Sequence, residues 1–197
     1  MLREKAKASK RRAILSAADR QFARHPYHEV LLEDIAADAE VAKGTLYLYF
    51  ESKADLYLAL IVGSFAPMIE RLQEEVAAAA QKSAWDGIRL FIENLLAFKL
   101  HHPAMHEAMR ETSRASQEAI FGDLKRSVTA MLVSTLQKGI ETGEIVDPAP
   151  EATADLILAA ITPASQWMVA KRQKWTAEAT AAHLLRTFGE GLLARRK

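Results

Sequence analysis

Apolar residues recur at intervals of three and four along most of the chain, and no other feature constrains the fold as much. From Lys10 to Arg24, Ile14, Ala17, Ala18 and Phe22 fall at i, i+3, i+4 and i+8, one stripe on a helix that must stop before Pro26. No run of alternating β-branched or aromatic residues reaches strand length with turn signals on both sides. Proline and glycine are scarce, six and eight in 197 residues. The fold is therefore expected to be all-α. Half of the residues are hydrophobic and 26% are charged, which is ordinary for a globular protein. With zero cysteines, a disulfide scaffold, a thiolate metal site and a cysteine nucleophile are excluded. The charged N-terminus lacks an apolar run of signal-peptide length and no stretch approaches the roughly 20 apolar residues of a membrane span, so a cytoplasmic protein is expected.

Further helices are expected at about 31–39, 42–49, 53–80, 83–100, 103–113, 115–141, 148–172 and 176–195. Ser52 precedes Asp55 by three, a capping pattern that opens the long fourth helix. Pro103 suits a first helical turn, Gly143 a left-handed C-terminal cap, and Asp147 a cap before Pro148 at the first helical position. No linker of low complexity interrupts the chain. A small unit at residues 1–52 should lead directly into a larger one at 53–197.

The formal net charge is only +1, so an argument for nucleic acid must be local. Residues 1–12 carry a net +5 through Arg3, Lys5, Lys7, Lys10, Arg11 and Arg12 against Glu4, and residues 25–40 carry a net −5. The basic arm reads either as a solvated tail or as an element that follows a phosphate backbone, disordered in the free protein in both cases.

Two short helices joined by a tight turn are the parts of a helix-turn-helix, whose second helix enters the DNA major groove. Helical spacing in Lys43-Gly44-Thr45-Leu46-Tyr47-Leu48-Tyr49-Phe50 puts Lys43 and Tyr47 on one face and Leu46 and Phe50 on another, the core face, while Gly44 permits close backbone approach. From Lys10 to about Leu60 the chain resembles the DNA-binding domain of the TetR family of bacterial transcriptional regulators. The resemblance rests on Asp34-Ile35-Ala36, on Gly44-Thr45-Leu46-Tyr47-x-Tyr49-Phe50 and on Ser52-Lys53-x-x-Leu56. It implies that Lys43, Gly44, Thr45 and Tyr47 lie at the groove, that Tyr49 and Lys53 grip phosphates, and that Glu33 faces a base edge. Val30 and Leu31 depart from the family pattern where Ser or Thr caps the second helix, Ala42 where a cap precedes the third, and Glu40 where Gly is common in the turn.

In the second half, Ile157, Ile161, Ala164 and Met168 form one row, and Ala181, Leu185, Phe188 and Leu192 another. Such rows can close a core within one chain; the resemblance implies a four-helix bundle with a second subunit. It also implies an effector pocket, for which Phe91, Leu95, Phe98, Met105, Met109, Phe121, Leu124, Val128 and Trp167 are candidate lining. With Arg110, these residues suit a largely hydrophobic ligand bearing a polar or negative group. His101, His102 and His106 invite a metal reading, but Pro103 breaks their spacing and no third ligand is evident, so neither metal nor cofactor is expected. No Glu is followed three residues later by His, and no phosphate-binding or dinucleotide-binding glycine pattern appears, so no enzyme is expected. The expected function is a homodimeric repressor released from a palindromic operator by a small hydrophobic effector. The alternative is a ligand-independent DNA-binding architectural protein or adaptor on the same fold.

Overall fold

The computed structural model describes residues 2–170 and 175–192, without the side chains at 2, 3, 5 and 190–192. Among the described residues it contains nine α-helices and no strand: α1 (Leu2–Arg24), α2 (Leu32–Asp38), α3 (Lys43–Tyr47), α4 (Lys53–Ala80), α5 (Ala84–His101), α6 (Met105–Glu111), α7 (Arg114–Glu141), α8 (Pro150–Ala170) and α9 (Ala177–Leu192). The chain packs as two compact units, Met1–Phe65 with Ala104–Gly122, and Ala66–Pro103 with Asp123–Lys197. The boundary does not follow the expected one at residue 52, because α4 and α7 are unbroken helices and each contributes to both units. No helix is long and apolar enough to cross a membrane among the described residues.

In the first unit the stripe of α1 does what its spacing predicts. Ile14, Ala17 and Ala18 are fully buried against Val30, Ile35, Ala36, Leu46, Phe50 and Leu56, and each large aliphatic or aromatic side chain removed from water contributes about 1.5–3 kcal/mol. The basic arm is helical, not disordered. Residues 2–12 contain no Pro or Gly and are rich in Lys, Arg and Ala, which lose little in a helix, so α1 extends back to Leu2.

The turn between α2 and α3 carries the departures noted in the sequence. Leu31 and Ala42 stand at the N-caps without any side-chain cap bond. Glu40 sits at φ 54°, the left-handed region that glycine enters without penalty. Backbone bonds hold the turn instead, with Val41 N donating to Ala36 O at 2.9 Å and Glu40 N to Ala37 O at 3.1 Å. Arg20 Nε, on α1, donates to Asp38 Oδ2 at 3.0 Å and ties down the end of α2.

Ser52 Oγ accepts from Asp55 N at 3.0 Å, so α4 begins where the capping pattern predicts. In the second unit, α5 packs against α8 and α9, and its Ile88, Phe91, Ile92 and Leu96 are buried. The N-terminus of α5 is closed from a distance: Ser83 Oγ donates to the Glu144 carboxylate, and Ala84 N donates to Glu144 Oε2 at 2.7 Å. Glu144 reaches that position because Gly143 ends the α7 turn at φ 73°.

Two proline expectations are displaced. Pro103 lies in the turn before α6. Pro150, not Pro148, opens α8, and Asp147 Oδ1 accepts from Ala149 N at 2.9 Å in a side-chain turn two residues earlier.

Candidate DNA-reading surface and effector unit

The recognition helix is assembled by the burial of Leu46 and Phe50, which turns the opposite side of α3 outward. Lys43 and Gly44 are exposed, Thr45 is partly buried, and Tyr47 is 47% exposed. A Cβ at Gly44 would meet nothing within 4 Å, so no protein atom stands over this stretch of backbone. Lys43 and Tyr47 thus share one outward face, as their spacing requires.

Leu48 was missed by the motif reading and is 78% exposed beside Tyr47. The signal was present: Leu48 lies two residues from both core anchors, Leu46 and Phe50, which is off the core face at helical spacing. A leucine held in water on this surface is suited to apolar contact, such as a thymine methyl.

Glu33 does not stand free toward a base. Its Oε1 accepts from Lys43 Nζ in an ion pair between α2 and α3. The bond to Lys43 holds the Glu33 carboxyl below the usual carboxylate range, and the bond to Glu33 raises Lys43. Both side chains remain about half exposed, so water screens the pair and it contributes little to stability.

Lys53 departs most from expectation. Its ammonium donates to the backbone oxygens of Tyr27, His28 and Val30 at 2.9, 3.3 and 3.3 Å, and lies 4.6 Å from the centroid of the Tyr27 ring. Three donors meet three carbonyls, so in this structure Lys53 fastens the α1–α2 connection. Tyr27 is itself anchored, packing with Phe22 and Tyr57 and donating its hydroxyl to Glu111 Oε2 at 2.8 Å. Burial, then the bond to Glu111, raises the Tyr27 pKa. Tyr49 is partly buried against the unit's core and borders a small groove with Arg11, whose guanidinium carbon lies 5.3 Å from the centroid of the Phe50 ring.

The candidate pocket residues divide between the units. Met105, Met109, Arg110 and Phe121 belong to the first, with Met105 buried and Arg110 exposed. Phe91, Leu95, Phe98, Leu124, Val128 and Trp167 belong to the second; Phe91, Leu95 and Val128 are buried, and Phe98 and Leu124 are partly buried. Trp167 does not line an interior: it is 43% exposed and meets Trp175 edge-on at 4.7 Å. The second unit also has an open groove of about 700 Å³ between α4 and α7, bordered by Gln73, Val76, Ala77, Met131, Ser134 and Lys138 among others. None of the candidate residues borders it.

The expected pairing rows lie mostly inside the single chain. Ile157, Ile161, Met168 and Ala181 are buried within the single chain, because α8 and α9 turn these residues inward. Ala164, Leu185 and Phe188 are partly buried, and the Leu192 side chain lies outside the described residues. On α8 the outward row is Leu156, Ala159, Pro163 and Trp167, with Leu156 61% exposed.

The three histidines do not gather on one helix. His101 bonds Ala97 O at 2.7 Å through Nδ1 and His102 ends α5 against Phe98, while His106 belongs to α6 in the other unit. Among the described residues no group of three or more His, Asp or Glu is placed to hold a metal ion.

A sequence profile of the bacterial regulatory proteins of the tetR family matches residues 14–60. The fatty acid metabolism regulator protein of Bacillus subtilis is 29% identical over 144 residues, 72% of this chain and 73% of its own length. The HTH-type transcriptional repressor BepR of Brucella suis is 26% identical over 196 residues, 96% of this chain and 82% of its own. Among solved structures, the transcriptional regulator FadR from Bacillus subtilis, determined in complex with stearoyl-CoA, superposes with a TM-score of 0.67 at 25% identity, covering 91% of this chain and 97% of that one. A buried Leu46 and Phe50 behind an exposed Lys43 and Tyr47, on the segment that the profile matches, make this chain a DNA-binding transcriptional regulator whose residues 14–60 are similar to the tetR family of bacterial regulatory proteins.

Proposed function

We propose that the chain acts as a homodimeric repressor that reads a palindromic operator and leaves it when a small, largely hydrophobic effector binds the second unit. The observation that carries the dimer is the outward row of α8, Leu156, Ala159, Pro163 and Trp167, whose opposite face already fills the core. In a lone chain this row stays in water. A second copy covers it, and a two-fold axis presents two recognition helices to one duplex.

On the DNA, Lys43, Gly44, Thr45, Tyr47 and Leu48 face the groove and Tyr49 reaches a phosphate. Glu33 keeps Lys43 extended along the α2–α3 surface until a base acceptor such as guanine O6 or N7 replaces it. Lys53 acts through the α1–α2 connection that it fastens.

An acyl ligand is the effector class that the similar proteins support, since the fatty acid metabolism regulator protein of Bacillus subtilis is a relative and the FadR structure from that organism was solved with stearoyl-CoA. In the second unit, the partly buried Phe98 and Leu124 supply apolar surface for such a chain. Release follows when the effector binds more tightly to a conformation that does not fit the operator.

Selection of bound sequences from a random duplex pool at near-physiological salt tests the reading, and a palindrome is the expected product. Recovery of a single half-site refutes the dimer. Acyl-CoA titrated onto the operator complex should then lower affinity; a ligand that binds without changing it refutes release.

A further inference from the structure

The core stripe of α1 changes character where its burial ends. Arg11, Lys10 and Lys7 precede the buried Ile14 by three, four and seven residues, so the face that packs as Ile14, Ala17 and Ala18 continues toward the N-terminus as a basic one. Every described side chain from residue 4 to residue 13 is exposed. Among the described residues no carboxylate lies in ion-pair range of Lys7, Lys10 or Arg11. Other cations of the same unit are accommodated: Arg20 by Asp38, Lys43 by Glu33, and Lys53 by three carbonyls.

Arg11 fixes where this stripe lies. Its guanidinium carbon is 5.3 Å from the centroid of the Phe50 ring, and it borders one groove with Tyr49 and Phe50, the residues that follow α3. The basic face therefore starts beside the C-terminal end of the recognition helix and is continuous with the DNA-reading surface. Like charges three and four residues apart on a helix repel, and no burial offsets that repulsion before Ile14. Phosphates relieve it: Lys7 and Arg11 are one turn apart, about 6 Å, and a strand presents one phosphate per roughly 3.4 Å of duplex axis. From Lys7 to Ala13 there is no large apolar side chain to favour a protein or lipid partner, and a phosphate backbone needs none.

We propose that Lys7, Lys10 and Arg11 form a second DNA contact, a helical arm that grips backbone phosphates of the duplex beyond the bases that α3 reads. The proposal rests on the DNA-binding reading above and decides between the two roles that the sequence left open for the basic arm. Because the arm is a continuation of α1, it is ordered before DNA arrives and holds its charges on one face.

The test uses the full chain and the operator recovered by selection, both with flanking base pairs and trimmed to the recovered sequence, titrated across a salt series. Replacing Lys7→Gln and Lys10→Gln together should leave helix content and melting temperature unchanged, because both side chains are exposed. On the flanked duplex the variant should lower the salt slope by about two units per subunit and weaken binding at low salt by about tenfold or more. The same factor is expected on an unrelated duplex, since phosphates carry no sequence. On the trimmed duplex, which lacks the flanking phosphates, parent and variant should bind alike. Lys7→Arg with Lys10→Arg should keep the parent slope. Lys82→Gln with Lys125→Gln removes the same charge from exposed positions of the second unit and should also keep it. An unchanged slope on the flanked duplex, an equal loss on the trimmed one, or an equal loss from the Lys82 and Lys125 pair overturns the proposal. A chain that binds no duplex overturns the DNA reading and the arm with it, whereas a palindrome recovered with an unchanged slope overturns the arm alone.

Discussion

Replacing Lys53 by Met keeps the aliphatic stem and removes the ammonium. The structure assigns that ammonium one short bond to Tyr27 O at 2.9 Å, two longer bonds at 3.3 Å, and a position over the Tyr27 ring. A hydrogen bond from a charged donor contributes about 1.5–3 kcal/mol net, and a partly exposed cation–π contact about 0.5–1 kcal/mol. Because the site is only partly buried and the longer bonds are weak, a loss of about 2 kcal/mol is expected. For a chain of this size that lowers the melting temperature by about 4–8 °C. The assay is thermal or urea unfolding without DNA, paired with operator binding across a salt series. If Lys53 fastens the α1–α2 connection, Lys53→Met melts early and the salt slope of operator binding is unchanged. The reasoning is refuted if the variant melts like the parent while its salt slope falls by about one unit, the signature of a lost phosphate contact.

Lys43→Ala should weaken the selected operator by about 1–3 kcal/mol and leave unrelated duplexes nearly unaffected; an equal loss on all sequences, measured by titration on both, would make Lys43 a phosphate contact. Leu156→Glu should yield monomers in analytical ultracentrifugation and a matching loss of operator affinity, whereas Ile161→Ala, which opens a cavity in the core, should cost about 2–5 kcal/mol of unfolding free energy. At Gly139 an added Cβ would lie 2.6 Å from Ile145 Cδ1 and 2.7 Å from Ala84 Cβ, so Gly139→Ala should destabilise the chain by about 1–3 kcal/mol in a denaturant titration. Glu144→Gln keeps the shape and removes the charge at the N-terminus of α5, and a loss of about 1 kcal/mol is expected in the same titration.

Local rules were sufficient wherever the deciding partner is near in sequence. The stripe of α1, the Ser52 to Asp55 cap, the left-handed Gly143 and the missing caps at Leu31 and Ala42 depend on residues within one or two turns. The sequence by itself therefore determined an all-α chain with a helix-turn-helix and the division of α3 into a core face and an outward face. Tertiary structure decided what each face and each charge would meet. Periodicity grouped Ile157, Ile161 and Met168 correctly on one side of α8, but it does not say whether that side meets the chain's own helices or another molecule; packing against α5 and α9 gave it to the core and left Leu156 and Trp167 outside. Lys53 carries the same charge whether it faces a phosphate or a carbonyl, and only the return of residues 27–30 to the start of α4 sets its partners. The physical reason is common to both cases: spacing along a helix fixes direction, while burial and pairing depend on what distant segments bring to that side.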